Sequence, residues 1–253
     1  MSDAVQVEER DGVGWIALNR PEKLNAINEA VLRGLLAAVA QIGSDPAIGA
    51  AILHGRGRAF CAGGDITAMS RMDAGEFDRT IGLYMQVAAA FRGCPKPIVA
   101  AVHGHALAGG FELALICDVR IAADDAVFGL PDAPLGLSPT SGMTYLLPRV
   151  IGLGPALELA LCAEDIDAGR AASIGLVGRV VPGARLLAEA AELAARMATW
   201  PRVGLAMTKS GFYDALDGTF EQAIAAEQAA ELQCFADPGV AANLQRFASR
   251  KRG

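Results

Sequence analysis

The sequence predicts an α/β fold with a largely parallel sheet and a helical C-terminal region. Over the first two thirds of the chain, short apolar segments of β type alternate with segments of helical apolar spacing. After Pro148 the pattern becomes mostly helical. The chain has 253 residues, of which 53% are hydrophobic and 20% charged, so it is long enough to bury one large core.

The first half supplies three predicted strands with helices between them. The segment "VGWIALNRP" is β-branched and aromatic and ends at Pro21, and "AINEAVLRGLLAAVAQIG" has helical spacing up to Gly43. The short buried strand "AAILHG" follows, and a helix predicted over residues 75–92 precedes another buried strand in "PKPIVAAVHG". Strands that alternate with helices in this way favour parallel pairing.

The second half adds one more helix and strand pair before the helical region. "GGFELALICD" is predicted to be a helix, and "VRIAA" and "AVFGLP" are two short strands in quick succession. One further strand, "GLVGRVV", interrupts the helices predicted in "GPALELALCA", "ARLLAEAAELAARMATW", "RVGLAMTKSGFYDAL" and "TFEQAIAAEQAAELQCF". So much apolar surface predicts packing onto the chain's own core or onto neighbouring subunits.

Composition argues against several classes of protein. The formal net charge is −6 and the one basic cluster, "RFASRKRG", is expected to be a solvated tail, which disfavours nucleic-acid binding. No segment approaches the roughly 20 apolar residues of a membrane-spanning helix. The start, "MSDAVQVEERDG", is acidic and polar rather than signal-like, so we expect a cytoplasmic protein.

Cysteine and histidine positions give little sign of a disulfide framework or a metal site. The five cysteines are scattered with no C-x-x-C pair, and we expect Cys117 and Cys162 to be small buried hydrophobic residues. His103 and His105 would share one side of an extended segment, as a metal pair requires. The only other histidine is His54 and no ligand cluster accompanies the pair, so we expect no metal.

Two glycine-rich loops follow comparable strands, at residues 55–66 and 104–112. Glycines at a strand-to-helix turn let the backbone approach a ligand and leave N–H groups unpaired at a helix start. If Gly64 and Gly109 face one carbonyl oxygen, they form an oxyanion hole in which each donor contributes about 3 to 4 kcal/mol in the transition state. Spacing alone leaves open that both loops are simply tight turns.

Two carboxyl groups lie in apolar segments of the sequence near these loops. Glu112 falls about one turn into the helix that begins beside Gly109, where it could move a proton at carbons next to a bound carbonyl. It could equally be a first-turn glutamate that complements the helix dipole. Asp132, in "VFGLPDAPLG", is either a second catalytic carboxyl group or an ordinary Pro-Asp turn residue.

These segments together resemble the enoyl-CoA hydratase/isomerase (crotonase) superfamily. The match is carried by "IALNRPEKLNAIN", "GRAFCAGGDI", "PKPIVAAVHGHALAGGFELALICDVRIAADDAVFGLPDAPLGLSPTSG" and "LLPRVIG", in order and spacing. The resemblance implies a spiral of repeated ββα units over residues 1–195 with the acyl-CoA site, and a helical trimerisation region over residues 196–253. It also implies homotrimers, commonly paired into hexamers.

Site residues carried over from the family fall on specific positions of this chain. The resemblance puts the oxyanion hole on the N–H groups of Gly64 and Gly109 and the catalytic carboxyl groups on Glu112 and Asp132. It puts coenzyme A, which is part of the substrate, against a short segment and two basic residues: Ala62, Gly63, Asp65, Ile66, Lys23 and Arg58. A solvated surface charge explains Lys23 and Arg58 equally well. No metal or redox cofactor is implied.

The implied reaction is syn addition of water to a 2-enoyl-CoA, or the reverse, through an enolate held by the two glycines. This chain departs from the family by having Asp132 where typical hydratases have Glu, which withdraws the carboxylate by roughly 1.5 Å. It also reads "TSGMTYLL" where "GAGGTQRL" is typical. A double-bond isomerase that uses Glu112 as its single base, and a non-catalytic acyl-CoA-binding protein, are therefore the alternatives.

Overall fold

The computed structural model describes residues 4–250 and has an α/β architecture. Its strands are β1 (Val5–Arg10), β2 (Val13–Leu18), β3 (Ala50–Gly55), β4 (Ile98–Val102), β5 (His105–Leu107), β6 (Val119–Ala123), β7 (Val127–Gly129), β8 (Ile166–Asp167) and β9 (Arg179–Val181). Its helices are α1 (Glu29–Ser44), α2 (Ile66–Met69), α3 (Ala74–Gly93), α4 (Gly109–Ile116), α5 (Met143–Ile151), α6 (Leu153–Cys162), α7 (Ala168–Ser173), α8 (Leu186–Ala198), α9 (Arg202–Asp217), α10 (Phe220–Phe235) and α11 (Pro238–Arg250).

The main sheet has the strand order β1-β2-β3-β4-β6-β9. Only the β1–β2 pair is antiparallel, and the other four pairs are parallel, as the alternation of strands and helices predicts. A second sheet, β5-β7-β8, extends through a bridge between Cys61 and Ala106. A main-sheet strand, a short segment of this second layer and a helix thus recur along the chain, which confirms the expected spiral of ββα units.

Both faces of the main sheet are covered, so its central strands are apolar throughout. All five residues of β4 are buried. Val99 and Ala101 face a cluster that includes Leu193 of α8, whereas Ala100 and Val102 face the larger core. This larger core is closed by the apolar stripes of α1 and α3 and by all of α4. Burial on both faces is the usual setting of parallel sheets.

Several features differ from the sequence-based expectations. Strand β1 was not predicted, because VQVEER places three exposed charged residues at the sheet edge. Cys162 is exposed rather than buried, although Cys117 is buried as expected. Residues 246–250 continue α11 instead of forming a tail, and residues 251–253 lie outside the described part of the chain.

The C-terminal helices attach to the core through a partly buried polar cluster. On α9, the Lys209 Nζ donates to the Asp118 carboxylate at 2.8 Å and Tyr213 donates to the same group at 3.1 Å. Helices α9 and α10 bury no residue completely. The domain boundary expected at residue 195 falls within α8, and a trimerisation role for residues 196–253 stays a prediction. Across residues 4–250, none of the helices has the length and apolar character needed to cross a bilayer.

Candidate active site

The two glycine-rich loops pack directly against each other. The Cys61 N–H donates to the His105 carbonyl at 2.9 Å, and the Leu107 N–H donates back to the Cys61 carbonyl at 3.0 Å. At Gly110, a β-carbon would lie 2.0 Å from that Cys61 oxygen. Only glycine therefore lets the first turn of α4 approach the other loop so closely.

Gly64 and Gly109 line the same cavity, which has a volume of about 310 Å³. The Ile27 backbone pairs with the residues on either side of Gly64, accepting from Asp65 N–H at 2.8 Å and donating to Gly63 O at 2.7 Å. Gly109 is the first residue of α4, where a helix leaves its N–H groups without an intrahelical acceptor. Within residues 4–250, neither glycine N–H donates a hydrogen bond.

Ala108 holds Gly109 in place with a strained backbone. Its φ of 45° and ψ of −121° are rare for a residue with a side chain. Such a conformation costs on the order of 1–3 kcal/mol and persists only where the surroundings enforce it. Here the Ala108 N–H donates to Gly129 O at 2.9 Å and the Ala108 carbonyl accepts from Glu112 N–H at 3.0 Å. Strain beside a cavity of this kind is typical of functional sites.

Glu112 is buried, with only 2% of its surface exposed, and is held from one side. Its Oε1 accepts from the Thr140 backbone N–H at 2.6 Å, and its Oε2 accepts from the Thr140 hydroxyl at 2.7 Å. Burial raises the pKa of Glu112 and the nearby Asp132 adds to the rise, while the Thr140 hydrogen bonds oppose it. A helix-dipole role alone would not require these contacts, and a role for Glu112 in proton transfer stays a prediction.

Asp132 reaches the same cavity from the turn before Ala133–Leu135. Its Oδ2 is buried without a hydrogen-bond partner in the described part of the chain. Burial raises the pKa of Asp132 as well. Its backbone carbonyl does serve the turn, accepting from Leu135 and Leu137 at 3.0 Å each. The backbone of Asp132 therefore stabilises the turn, while its carboxyl group lines the cavity.

The rest of the cavity wall is mainly apolar and comes from α2, α3 and the segment after Asp132. It includes the side chains of Ile66, Met69, Phe77, Ile81, Tyr84, Leu135 and Leu137. Sequence reasoning missed Tyr84 and the anchoring role of Thr140. Tyr84 lies in the buried stripe of α3 with Leu83 and Val87. Its helical spacing therefore predicts a core residue rather than a residue of the site. The contact from Thr140 to Glu112 spans 28 residues, so no local sequence pattern predicts it.

The segment expected to contact coenzyme A lies at the cavity mouth. Ala62 and Gly63 pair with Leu24 and Ile27 through backbone hydrogen bonds. Ile66 lines the cavity and is 53% exposed. Asp65 caps α2 by accepting from Ala68 N–H at 3.2 Å, and Arg20 donates to it at 3.0 Å, so its carboxylate is already engaged.

Lys23 and Arg58 lie on the surface and do not line this cavity. They belong to adjoining turns, because a β-carbon on Gly57 would come within 2.7 Å of the Pro21 side chain. Both side chains are therefore exposed cations on neighbouring turns. A role in binding the nucleotide phosphates stays a prediction.

The histidines do not assemble a metal centre. Across residues 4–250, no three His, Cys, Asp or Glu side chains converge as metal ligands would. One ring nitrogen of His103 is within 3.0 Å of the Gly57 carbonyl, and His54 packs edge-on against Trp15. His103 and His54 therefore both contact other groups of the protein.

Comparison with known proteins gives a consistent result. The enoyl-CoA hydratase/isomerase family model matches residues 8–252. The crotonyl-CoA hydratase of Syntrophomonas wolfei is 34% identical over 97% of this chain and 95% of its own length. The short-chain-enoyl-CoA hydratase of Clostridium acetobutylicum is 35% identical over 91% and 89%. The crystal structure of enoyl-CoA hydratase from Bacillus anthracis superimposes with a TM-score of 0.94 at 30% identity, covering 98% of this chain and 96% of that one.

Proposed function

The chain belongs to the enoyl-CoA hydratase/isomerase family and has the crotonase fold, and from this premise we propose that it adds water across the double bond of a 2-enoyl-CoA thioester. One observation carries the proposal. Two glycine N–H groups without hydrogen-bond partners and two carboxyl groups of raised pKa line a single apolar cavity in residues 4–250. Thioester hydration needs these two kinds of group in one place.

The two glycines are proposed to stabilise the negative charge that develops on the thioester oxygen. As water adds to the β-carbon, negative charge moves onto the thioester oxygen. The N–H groups of Gly64 and Gly109 would donate to that oxygen and stabilise the enolate, each by about 3 to 4 kcal/mol. The bridge between the two loops and the contact of Gly110 with Cys61 hold these donors in fixed positions. Their preorganisation supports this step.

The two carboxyl groups divide the proton transfers. Glu112 accepts two hydrogen bonds from Thr140, which stabilise its ionised form, so we assign it as the base that takes a proton from the attacking water. No donor in the described residues faces the Asp132 Oδ2, which favours the protonated form, so we assign Asp132 as the acid that delivers a proton to the α-carbon. Transfer of the proton from Glu112 to Asp132 through water restores the starting state.

Replacement of Glu112 by Gln tests the assignment most simply. Gln keeps the volume and a carbonyl acceptor for Thr140 but cannot take a proton. With crotonyl-CoA, followed by loss of the conjugated-thioester absorbance, we expect turnover to fall by about 10²–10⁴-fold. Glu158, which is exposed on α6, provides the matched Glu→Gln control and should leave turnover unchanged. Retained activity in Glu112→Gln would overturn the assignment.

Asp132 decides between hydration and the isomerase alternative. A shift isomerase needs the oxyanion hole and one base, whereas hydration needs both carboxyl groups. Asp132→Asn should therefore abolish hydration. If it instead leaves conversion of a 3-enoyl-CoA to the 2-enoyl-CoA intact as the dominant activity, the chain is an isomerase. Absence of any thioester turnover in the unmodified protein would favour the non-catalytic, acyl-CoA-binding alternative.

We also propose that coenzyme A binds across the segment from Ala62 to Ile66, with its phosphates near Lys23 and Arg58. The exposure of both cations supports a role outside the chemical step. Replacement of both by Ala should raise KM for the acyl-CoA and leave kcat nearly unchanged, because the reacting atoms lie in the cavity. An unchanged KM would remove both residues from the binding site. We propose no resident cofactor.

A homotrimer, or a pair of trimers, is the assembly that we propose. The α6 and α9–α11 surfaces carry large exposed apolar side chains, among them Leu153, Leu157, Leu161, Phe212, Phe220, Phe235 and Phe247. A monomer rarely leaves so many uncovered. Sedimentation equilibrium should therefore give three or six times the chain mass, and a monomer at micromolar concentration would contradict the proposal.

We propose a cytoplasmic location as well. All five cysteines are free thiols, which suits a reducing compartment. Cell fractionation with an antibody against the chain tests the location directly, and recovery in the membrane or culture fluid would contradict it.

A further inference from the structure

Tyr84 stands out among the cavity residues because its hydroxyl forms no hydrogen bond with the residues that the structure describes. Its side chain comes from the middle of α3 and is 7% exposed, yet it forms part of the cavity wall beside both glycines. Buried tyrosine hydroxyls usually find a hydrogen-bond partner. Among residues 4–250, the Tyr84 hydroxyl has none.

The position of this hydroxyl relates it to the two glycines rather than to the core. A β-carbon placed on Gly64 would lie 3.5 Å from the Tyr84 Oη, and one placed on Gly109 would lie 3.4 Å from it. The phenol oxygen therefore lies between the two loops, on the side where both glycines face the cavity.

We propose that Tyr84 is a third donor of the oxyanion hole, so that its hydroxyl and the N–H groups of Gly64 and Gly109 all bind the thioester oxygen. This inference rests on the proposed function and adds a catalytic residue to it. Burial raises the pKa of Tyr84, and the carboxyl groups of Glu112 and Asp132 raise it further, so the phenol keeps its proton. A neutral donor that stays protonated is suited to stabilising an enolate oxygen.

Tyr84→Phe removes the hydroxyl and keeps the ring that packs in α3. Since the hydroxyl bonds no group in the described part of the chain, the fold should not depend on it. We expect kcat for crotonyl-CoA to fall by about 100-fold, the loss typical of one oxyanion donor. Tyr145→Phe is the matched control, because that exposed hydroxyl bonds Asp217 at 2.6 Å and lies outside the cavity. It should leave kcat unchanged.

A second readout separates oxyanion binding from packing and from turnover. Butyryl-CoA labelled with carbon-13 at the thioester carbonyl binds without reacting, and hydrogen bonds to its oxygen move the carbonyl resonance downfield. In Tyr84→Phe this displacement should shrink, with the dissociation constant changed by no more than about fivefold. An unchanged kcat, or a lower kcat with an unchanged carbonyl resonance, would overturn the proposal.

The same pair of measurements distinguishes failure of this inference from failure of the proposed function. If the unmodified protein binds butyryl-CoA but does not hydrate crotonyl-CoA, the hydratase function is wrong and the carbonyl resonance still decides the role of Tyr84. If the unmodified protein does not displace the carbonyl resonance at all, there is no oxyanion hole and both proposals are wrong.

Discussion

Gly110→Ala is expected to damage the proposed catalysis by separating the two glycine-rich loops that carry Gly64 and Gly109. The added β-carbon would lie 2.0 Å from the Cys61 carbonyl oxygen and 2.8 Å from its carbon, both backbone atoms that cannot rotate away. Real β-carbons essentially never approach another heavy atom within 3.0 Å, so the first turn of α4 must move by at least 1.0 Å, the difference from 2.0 Å. Gly109 moves with it. A displacement of about 1 Å in a catalytic group costs on the order of 100-fold in rate.

Steady-state hydration of crotonyl-CoA and denaturant unfolding measure the two consequences. We expect kcat to fall by about 100-fold and the free energy of unfolding to fall by about 1–3 kcal/mol, as overpacking in a core usually does. Gly82→Ala is the matched control. It lies in the interior of α3 with no atom within 4 Å of its β-carbon, so alanine should stabilise that helix by about 0.5–1 kcal/mol. If Gly110→Ala retained full turnover and stability, the close packing of the loops would not control the site.

Three further changes probe other contacts. Thr140→Val removes the hydrogen bond from the Thr140 hydroxyl to Glu112 Oε2 and should raise the pKa of Glu112. The acid limb of the kcat/KM profile should therefore move to higher pH. An unmoved limb would show that Thr140 does not affect the pKa of Glu112. Because folding raises the Glu112 pKa, its ionisation destabilises the native state as pH rises above about 4. Glu112→Gln should therefore unfold at a higher temperature than the parent at neutral pH, with the gain disappearing in acid; an equal gain at both pH values would contradict this. Lys209→Met leaves the partly buried Asp118 carboxylate without its cation and should cost about 1–3 kcal/mol of unfolding free energy in a denaturant titration. No measurable loss would mean that the pair is effectively solvated.

The parts of the fold that sequence predicted best are those with strong local patterns. The stripe of α1 follows a 3.6-residue period and begins at the Asn28 cap, and β4 is an uninterrupted apolar run, so both are readable without a structure. Strand β1 was missed although Asp11 and Gly12 form the two-residue turn that joins it to β2. Asp-Gly at that spacing is a strong hairpin signal, and it outweighs the polar composition of an edge strand.

The candidate site divides in the same way. Gly64, Gly109, Glu112 and Asp132 were predicted from motifs, and the structure brings all four to one cavity. The contact from Thr140 and the hydroxyl of Tyr84 could not be predicted, because each depends on segments distant in sequence meeting in the fold. The strain at Ala108 was equally hidden, since alanine gives no local sign of a backbone conformation that favours glycine.

Incubation of the protein with crotonyl-CoA in deuterium oxide, followed by mass spectrometry and proton NMR of the product, would test the proposed hydration most directly. If Glu112, Asp132 and the oxyanion hole act as proposed, the product is 3-hydroxybutyryl-CoA with one deuterium on the α-carbon and the hydroxyl on the β-carbon. Recovery of crotonyl-CoA without a hydroxyl group, whether unchanged or deuterated by exchange, would contradict the proposed reaction.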